Sequence, residues 1–204
     1  MGNEVKGAVR LADQRHQGKI LLETSEIIFR GTDFRLRIPF AELSEVAAAD
    51  GELRVKTKTG TTILEVGAAA EKWREKILHP KTRAEKLAVK AGTRVLLAGV
   101  FDADFVNELK TNKSALVRNG GSGSPEITFL AVEEKSSLAA IAKHAKKTRG
   151  AQALWVVYPK GKKEITEVDV ISAGRKTGLK DVKVVGFSAT HTALKFVLPM
   201  SNRK

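Results

Sequence analysis

The chain has 204 residues, of which 42% are hydrophobic and 29% charged, a composition typical of folded globular proteins that argues against wholesale disorder. It contains no cysteine, which excludes disulfides, thiolate metal sites and cysteine nucleophiles. No stretch approaches the roughly 18 consecutive apolar residues of a transmembrane helix. Residues 1–10 include Glu4 and lack the long apolar core of a signal peptide. We therefore expect a cytoplasmic protein.

The formal net charge of +13 is distributed unevenly along the chain. Residues 1–80 hold 13 Lys and Arg against 12 Asp and Glu, whereas residues 81–204 hold 23 against 11. This asymmetry favours two domains, 1–80 and 81–204, and an anionic partner for the second. Solubility alone also accounts for a lysine-rich surface, so both interpretations stay open.

Short runs with alternating apolar and polar residues predict antiparallel strands in the first half. The predicted strands cover residues 19–23, 26–30, 34–38, 43–49, 53–57 and 62–66. Residues 68–78 then predict a helix with Trp73 and Ile77 on its apolar face, and His79-Pro80 ends it.

This half resembles a pleckstrin-homology (PH)-like domain, most closely the lipid-associated branch. The resemblance rests on the hairpin Gly18–Phe29, the segment Ile38–Val46 and the helix with Trp73. It implies an antiparallel barrel with a C-terminal helix, a fold whose members bind lipid head groups, bind peptides or have no known ligand. Lipid-binding members carry a basic cluster in the first hairpin. Here only Lys19 and Arg30 flank the turn, which argues against phosphoinositide binding.

In the second half, strand-like and helix-like segments alternate, which predicts a mainly parallel sheet covered by helices. Predicted strands cover residues 93–100, 114–118, 127–132, 153–159, 182–189 and 193–198. Predicted helices cover residues 81–87, 103–109, 136–150 and 165–175, the third with Gly150 as its C-cap. The apolar run 153–159 reads as a strand buried on both faces. A turn at 190–192 makes the last two strands an antiparallel edge hairpin.

A parallel sheet that ends in a reversed strand resembles the S-adenosylmethionine (SAM) methyltransferases, and this half looks like a truncated, Rossmann-like relative. Four segments, Lys86–Val95, Ala153–Lys160, Thr177–Val184 and Ala193–Val197, resemble the landmarks of an uncharacterised bacterial family of unknown function. The match covers about residues 83–198 and implies a fold but no activity.

The loop after the first strand of the second half argues against a cofactor. A dinucleotide or SAM site needs glycines there, so that backbone N–H groups can approach the ligand. Here Gly99 is followed by the bulky Val100 and Phe101, and Asp102 and Asp104 would repel a phosphate. We therefore expect no cofactor. The loop 119–125 is rich in glycine, but Pro125 and a strand follow it, which favours a hinge over a phosphate cradle.

Motifs for catalysis and metal binding are missing from the sequence. None of the four histidines, His16, His79, His144 and His191, has metal-ligand spacing, so each is expected at the surface or at a cap. The pair Glu133-Glu134 is expected to complement a helix dipole. We predict no catalytic residue and no metal site.

Lys160, Lys162 and Lys163 are the candidate ligand- or anion-binding residues. They follow the central strand, at the edge of the sheet where open parallel sheets bind ligands. A solvated loop is the alternative interpretation. Arg175, Lys176 and Lys180 are expected at the opposite edge and are not part of this group.

Three functions remain open on the sequence alone. The first is a non-enzymatic binding or scaffold protein that meets an acidic partner. The second is a degenerate SAM-dependent methyltransferase-like enzyme. The third is non-specific nucleic-acid binding through the basic second half.

Overall fold

The computed structural model describes residues 3–12, 14–117 and 123–203. The chain divides into two compact units, Met1–Lys81 and Thr82–Lys204. Most of the glycine-rich loop 119–125 lies outside the described residues.

The first unit is a seven-stranded antiparallel sheet followed by one helix. Its strand order is β4-β3-β2-β1-β7-β6-β5. The elements are β1 (Asn3–Leu11), β2 (Gln14–Leu22), β3 (Glu26–Gly31), β4 (Arg35–Pro39), β5 (Glu45–Ala49), β6 (Glu52–Thr57), β7 (Gly60–Glu65) and α1 (Ala70–Leu78).

One apolar cluster joins side chains from all seven strands of this unit, including the edge strands β4 and β5. Two edges of a flat sheet could not share one core, so the sheet curls around its inner face. Helix α1 packs into this core through Ala70, Trp73 and Ile77, as its apolar periodicity predicts. The arrangement is consistent with the expected PH-like architecture.

The second unit contains a six-stranded mixed sheet with helices on both faces. Its strand order is β12-β13-β11-β10-β8-β9. The elements are α2 (Arg83–Lys86), β8 (Arg94–Ala98), α3 (Ala103–Thr111), β9 (Ala115–Val117), β10 (Ile127–Ala131), α4 (Ala139–Ala145), β11 (Ala153–Pro159), α5 (Glu167–Arg175), β12 (Lys180–Gly186) and β13 (His191–Val197). Strands β8 to β11 pair in parallel, and β13 is antiparallel to both β11 and β12. This topology is consistent with a Rossmann-like sheet that has an antiparallel edge hairpin.

Strand β11 is the centre of the second unit, and all seven of its residues are buried. Trp155 and Val157 pack on the face covered by α2 and α3. Leu154, Val156 and Tyr158 pack on the face covered by α4 and α5. The prediction of a strand buried on both faces is confirmed.

Two predicted boundaries in this unit are wrong. Helix α4 ends at Ala145 and not at Gly150, because the hydroxyl of Thr148 and the guanidinium of Arg149 bond to the backbone carbonyls of His144 and Lys146 and turn the chain. The edge hairpin lies about two residues earlier than predicted. Its turn is closed by the backbone N–H groups of Phe187 and Ser188, which both donate to the carbonyl of His191.

None of the helices in the described ranges is both long and apolar enough to cross a membrane.

We predict that the two units fold independently, because each has its own apolar core. Fragments 1–81 and 82–204 should each unfold cooperatively. Each retains one of the two tryptophans, Trp73 or Trp155, as a fluorescent reporter. The measurement is denaturant unfolding of the fragments and of the whole chain. Loss of cooperative folding in both fragments would contradict independence.

Candidate functional site

The candidate site lies at the carboxyl edge of the second unit's sheet. The parallel strands β8, β10 and β11 end there, and the turn between β12 and β13 lies at the same edge because Pro159 pairs with His191. A cavity of about 380 Å³ opens between these segments. It is lined by Arg83, Val100, Phe101, Asp102, Asp104, Ala131, Glu133, Val157, Phe187, Ser188, Thr190 and His191. Open parallel sheets bind ligands at this edge.

The loop after β8 contains one glycine, Gly99, whose backbone a ligand could approach closely. The side chains that follow Gly99 fill the space beside it. Gly99 has φ +106°, and a Cβ atom there would lie 2.9 Å from the Cβ of Ala131, so the position favours glycine. Phe101 turns toward the core and contacts the rings of Phe105 and Phe187. Val100 is 91% exposed at the cavity mouth. The loop therefore packs against its own unit and leaves no row of free glycine N–H groups.

An ion-pair network centred on Arg83 fixes one wall of the cavity. The guanidinium donates to both carboxylate oxygens of Asp102, at 3.1 and 3.2 Å, and to Glu108 at 3.0 Å. The other oxygen of Glu108 accepts from the backbone N–H of Ala84 at 2.7 Å. The guanidinium carbon lies 4.8 Å from the ring centroids of both Phe105 and Phe187. Arg83 thus links α2, α3 and the edge hairpin.

Asp102 has two roles in this network. Its side chain also accepts the backbone N–H of Phe105 at 2.7 Å, as the N-cap of α3. Partial desolvation acts to raise the pKa of Asp102, but the hydrogen bonds from Arg83 and Phe105 outweigh it and lower the pKa overall. Partial burial likewise opposes the charge on Arg83, yet Asp102 and Glu108 raise its pKa. The N-terminus of α3 is therefore already occupied by a carboxylate of this chain.

The opposite wall carries a carboxylate, an imidazole and two hydroxyls. Nε2 of His191 lies 3.2 Å from Glu133, and its Nδ1 lies 2.8 Å from the hydroxyl of Thr190. The hydroxyl of Ser188 accepts from the backbone N–H groups of Thr190 and His191. These contacts hold the turn of the edge hairpin against the end of β10.

Of the three predicted lysines, Lys160 contacts a residue that lines this cavity. The Nζ of Lys160 donates to the backbone carbonyl of Ser188 at 2.6 Å, so Lys160 bridges β11 and the hairpin turn. Lys162 and Lys163 are exposed and make no ion pair with any described residue. Arg175 and Lys180 lie at the other edge, where Lys180 pairs with Val197 and Arg175 forms an ion pair with Asp181.

Sequence reasoning missed two features of the histidines. His191 was expected at the surface or at a cap, but it contacts Glu133, which is 58 residues away. His144 was likewise expected at the surface or at a cap and is buried on α4, where desolvation first, and then Lys147 and Lys143, lower its pKa. The apolar stripe of α4 signals this burial, whereas no local pattern links Glu133 to His191. In the described ranges no group of three or more His, Asp or Glu could hold a metal ion.

In the first unit, the hairpin that would carry a lipid-binding cluster has one of its two cations paired. The Nζ of Lys19 lies 2.8 Å from Glu4 on the neighbouring strand.

No protein-family model and no curated protein matches the chain. Among solved structures, the N-terminal PH domain of human ARAP2 shares 16% identity over 38% of this chain and 76% of its own, with a TM-score of 0.33. The TehB-like SAM-dependent methyltransferase of Corynebacterium glutamicum shares 10% identity over 64% of this chain and 96% of its own, with a TM-score of 0.37. A methyltransferase from Pyrococcus furiosus shares 15% identity over 58% and 85%, with a TM-score of 0.35. At these TM-scores none of the similarities bears on what the chain does.

Proposed function

We propose that the protein is a binding protein without a catalytic step of its own, and that its second unit meets an acidic partner at the carboxyl edge of the sheet. The observation that carries this proposal is the contact of Lys160 with Ser188, which lines the carboxyl-edge cavity; Lys162 and Lys163 follow Lys160 in the chain and are exposed. Lys160 is already oriented by Ser188, so it loses little conformational freedom on binding. Lys162 and Lys163 offer charges that no described residue neutralises.

The charges inside the cavity differ from those at its rim. Arg83 is saturated by Asp102 and Glu108. Asp104 has no ion pair with a described residue, and Glu133 lies 3.2 Å from Nε2 of His191. The interior therefore favours a neutral or positively charged group, while an anionic group is attracted to the lysines outside. We infer that the partner is an acidic protein segment that inserts an apolar or basic side chain between Val100 and Phe187.

We predict that replacing Lys160, Lys162 and Lys163 together by Gln weakens the binding of an acidic peptide about tenfold. Three contacts of about 0.5 kcal/mol each give this factor. The measurement is fluorescence anisotropy of a labelled oligo-glutamate peptide at low salt.

The matched control replaces Lys110, Lys143 and Lys176 by Gln. These lysines are exposed on the same unit, are unpaired among the described residues, and carry the same total charge. The control should bind nearly as tightly as the wild type. Equal weakening by the two triple variants would show that only net charge matters, and the proposal would fail.

A methyltransferase-like enzyme is the second candidate, and two observations favour it. The reversed strand β13 lies between β11 and β12, and the cavity lies where such sheets bind ligands. The loop after β8 argues against an enzyme of this kind. Phe101 and the Arg83–Asp102 ion pair fill the space in which a glycine-rich loop would contact the cofactor. Membership of the uncharacterised bacterial family and a cytoplasmic location remain predictions from the sequence.

We predict that the protein does not bind SAM. Isothermal titration calorimetry at millimolar ligand should give no saturable heat. A SAM-dependent methyltransferase titrated with the same ligand solution serves as the positive control. A dissociation constant in the micromolar range would overturn the prediction and favour the enzyme.

A further inference from the structure

The amino edge of the second unit's sheet, opposite the candidate site, carries a separate basic surface. A cavity of about 460 Å³ lies there, and its lining includes Lys90, Arg94 and Lys195. The remaining lining residues are Ala88, Thr93, Glu126, Ile127, Ala151, Gln152 and Ala153. This cavity lies where β8, β10 and β11 begin, so it is distinct from the carboxyl-edge cavity.

The pairing of β12 with β13 places further lysines next to the basic residues of this cavity. Lys183 pairs directly with Lys195 across the two strands, and Lys180 pairs with Val197, two residues further along β13. Cross-strand partners project from the same face of a sheet, and so do residues two apart on one strand. Lys180, Lys183 and Lys195 therefore share one face, the face on which Lys195 lies 5.8 Å from the ring centroid of Trp155.

These cations are not neutralised by the carboxylates close to them in the chain. Lys183 donates to the backbone carbonyl of Lys86 and forms no ion pair with a described residue. Arg203 donates to the carbonyl of Leu198. The neighbouring carboxylates are already paired, Glu126 with Arg94 and Asp181 with Arg175.

Lys195 experiences this excess of positive charge directly. Partial burial lowers its pKa first, and the charges of Lys183 and Arg203 lower it further. The folded protein thus holds like charges close together at a partly desolvated position, and an anion placed among them would relieve the repulsion.

We use the name basic groove for the amino-edge cavity, whose lining includes Lys90 and Lys195, together with the neighbouring cations Lys180, Lys183 and Arg203. We propose that this basic groove binds the phosphate backbone of double-stranded nucleic acid. The inference goes beyond the proposed function, because it concerns the opposite edge of the sheet and another class of partner. One molecule can carry both binding sites. An acidic peptide tests the carboxyl edge, and a DNA duplex tests the amino edge.

A duplex fits the groove better than a single strand does. Proteins that bind single strands stack the bases on exposed aromatic rings. None of the residues that line the amino-edge cavity is aromatic, and Trp155 behind Lys195 is fully buried. The groove also presents strands and a loop, without a recognition helix that could read base edges. Contacts to phosphate alone give binding with little sequence preference and a steep dependence on salt.

The test compares two triple variants of the full-length protein that lose the same charge. One replaces Lys90, Lys180 and Lys183 by Gln, all of them exposed. The other replaces Lys160, Lys162 and Lys163. Binding of a short mixed-sequence DNA duplex is measured by fluorescence anisotropy over a range of salt concentrations. We expect the first variant to reduce the slope of log K against log salt by up to about 2.7, which is about 0.9 for each lost phosphate contact, and the second to leave it near the wild-type value.

Three results would overturn the inference. These are no duplex binding by the wild type at low salt, equal slope changes in both variants, and a larger change in the Lys160 triple. The last would place the phosphates at the carboxyl edge. An effect of the Lys90 triple on the acidic peptide but not on the duplex would make the partner a protein. Failure of the acidic peptide alone to bind would count against the proposed function and leave the groove unaffected.

A second measurement does not depend on variants. Amide NMR spectra of the wild type titrated with the duplex should show shifts at residues 90, 180–183 and 195, with residues 160–163 unchanged. Shifts confined to residues 160–163 would contradict the inference.

Discussion

The ion pair between Arg83 and Asp102 shapes the whole carboxyl edge of the second unit. Arg83 stands at the first position of the four-residue helix α2, which is too short to be stable without tertiary contacts. Its guanidinium joins α2 to the N-cap of α3 and lies against Phe187 of the edge hairpin. A buried or half-buried charge needs hydrogen-bonded partners, and Asp102 and Glu108 supply them. Three separate segments are thereby held around one cation.

The Arg83–Asp102 pair bears on what the carboxyl edge of the sheet can bind, whereas the amino edge has its own set of charges. At the carboxyl edge, Asp102 serves the chain's own helix and cation, so the place where a nucleotide-like cofactor would meet backbone N–H groups is filled. The proposed function therefore places the anionic group of the partner outside this cavity, at Lys160, Lys162 and Lys163. At the amino edge, cations gather, and the neighbouring carboxylates Glu126 and Asp181 are already paired with Arg94 and Arg175. We therefore propose different partners for the two edges.

Local pattern was sufficient to predict much of the fold. The apolar run of β11 and the amphipathic stripe of α1 are set by neighbouring residues, and the structure shows both. The pairs that build the site join distant residues, such as Arg83 with Asp102 and Glu133 with His191, which depend on strand order and register. The predicted hairpin turn was misplaced by about two residues, which put His191 in the turn. In the structure His191 begins β13 opposite Pro159, where it contacts Glu133.

The most direct test of the role of Arg83 compares wild type with Asp102→Asn as pH changes. Asn keeps the N-cap and removes the charge. Because Arg83 and Phe105 lower the pKa of Asp102 in the folded state, its stabilising effect is present above the unfolded pKa of about 3.9 and is lost as pH falls through the folded value. Urea unfolding followed by Trp155 fluorescence, in a Trp73→Phe background, should show a deficit of about 1 kcal/mol at neutral pH that shrinks below about pH 4. The control variant is Asp104→Asn, at a carboxylate that forms no ion pair with a described residue. Its free energy of unfolding should differ little from that of the wild type. A deficit that is absent at neutral pH, or that does not change with pH, would contradict the account.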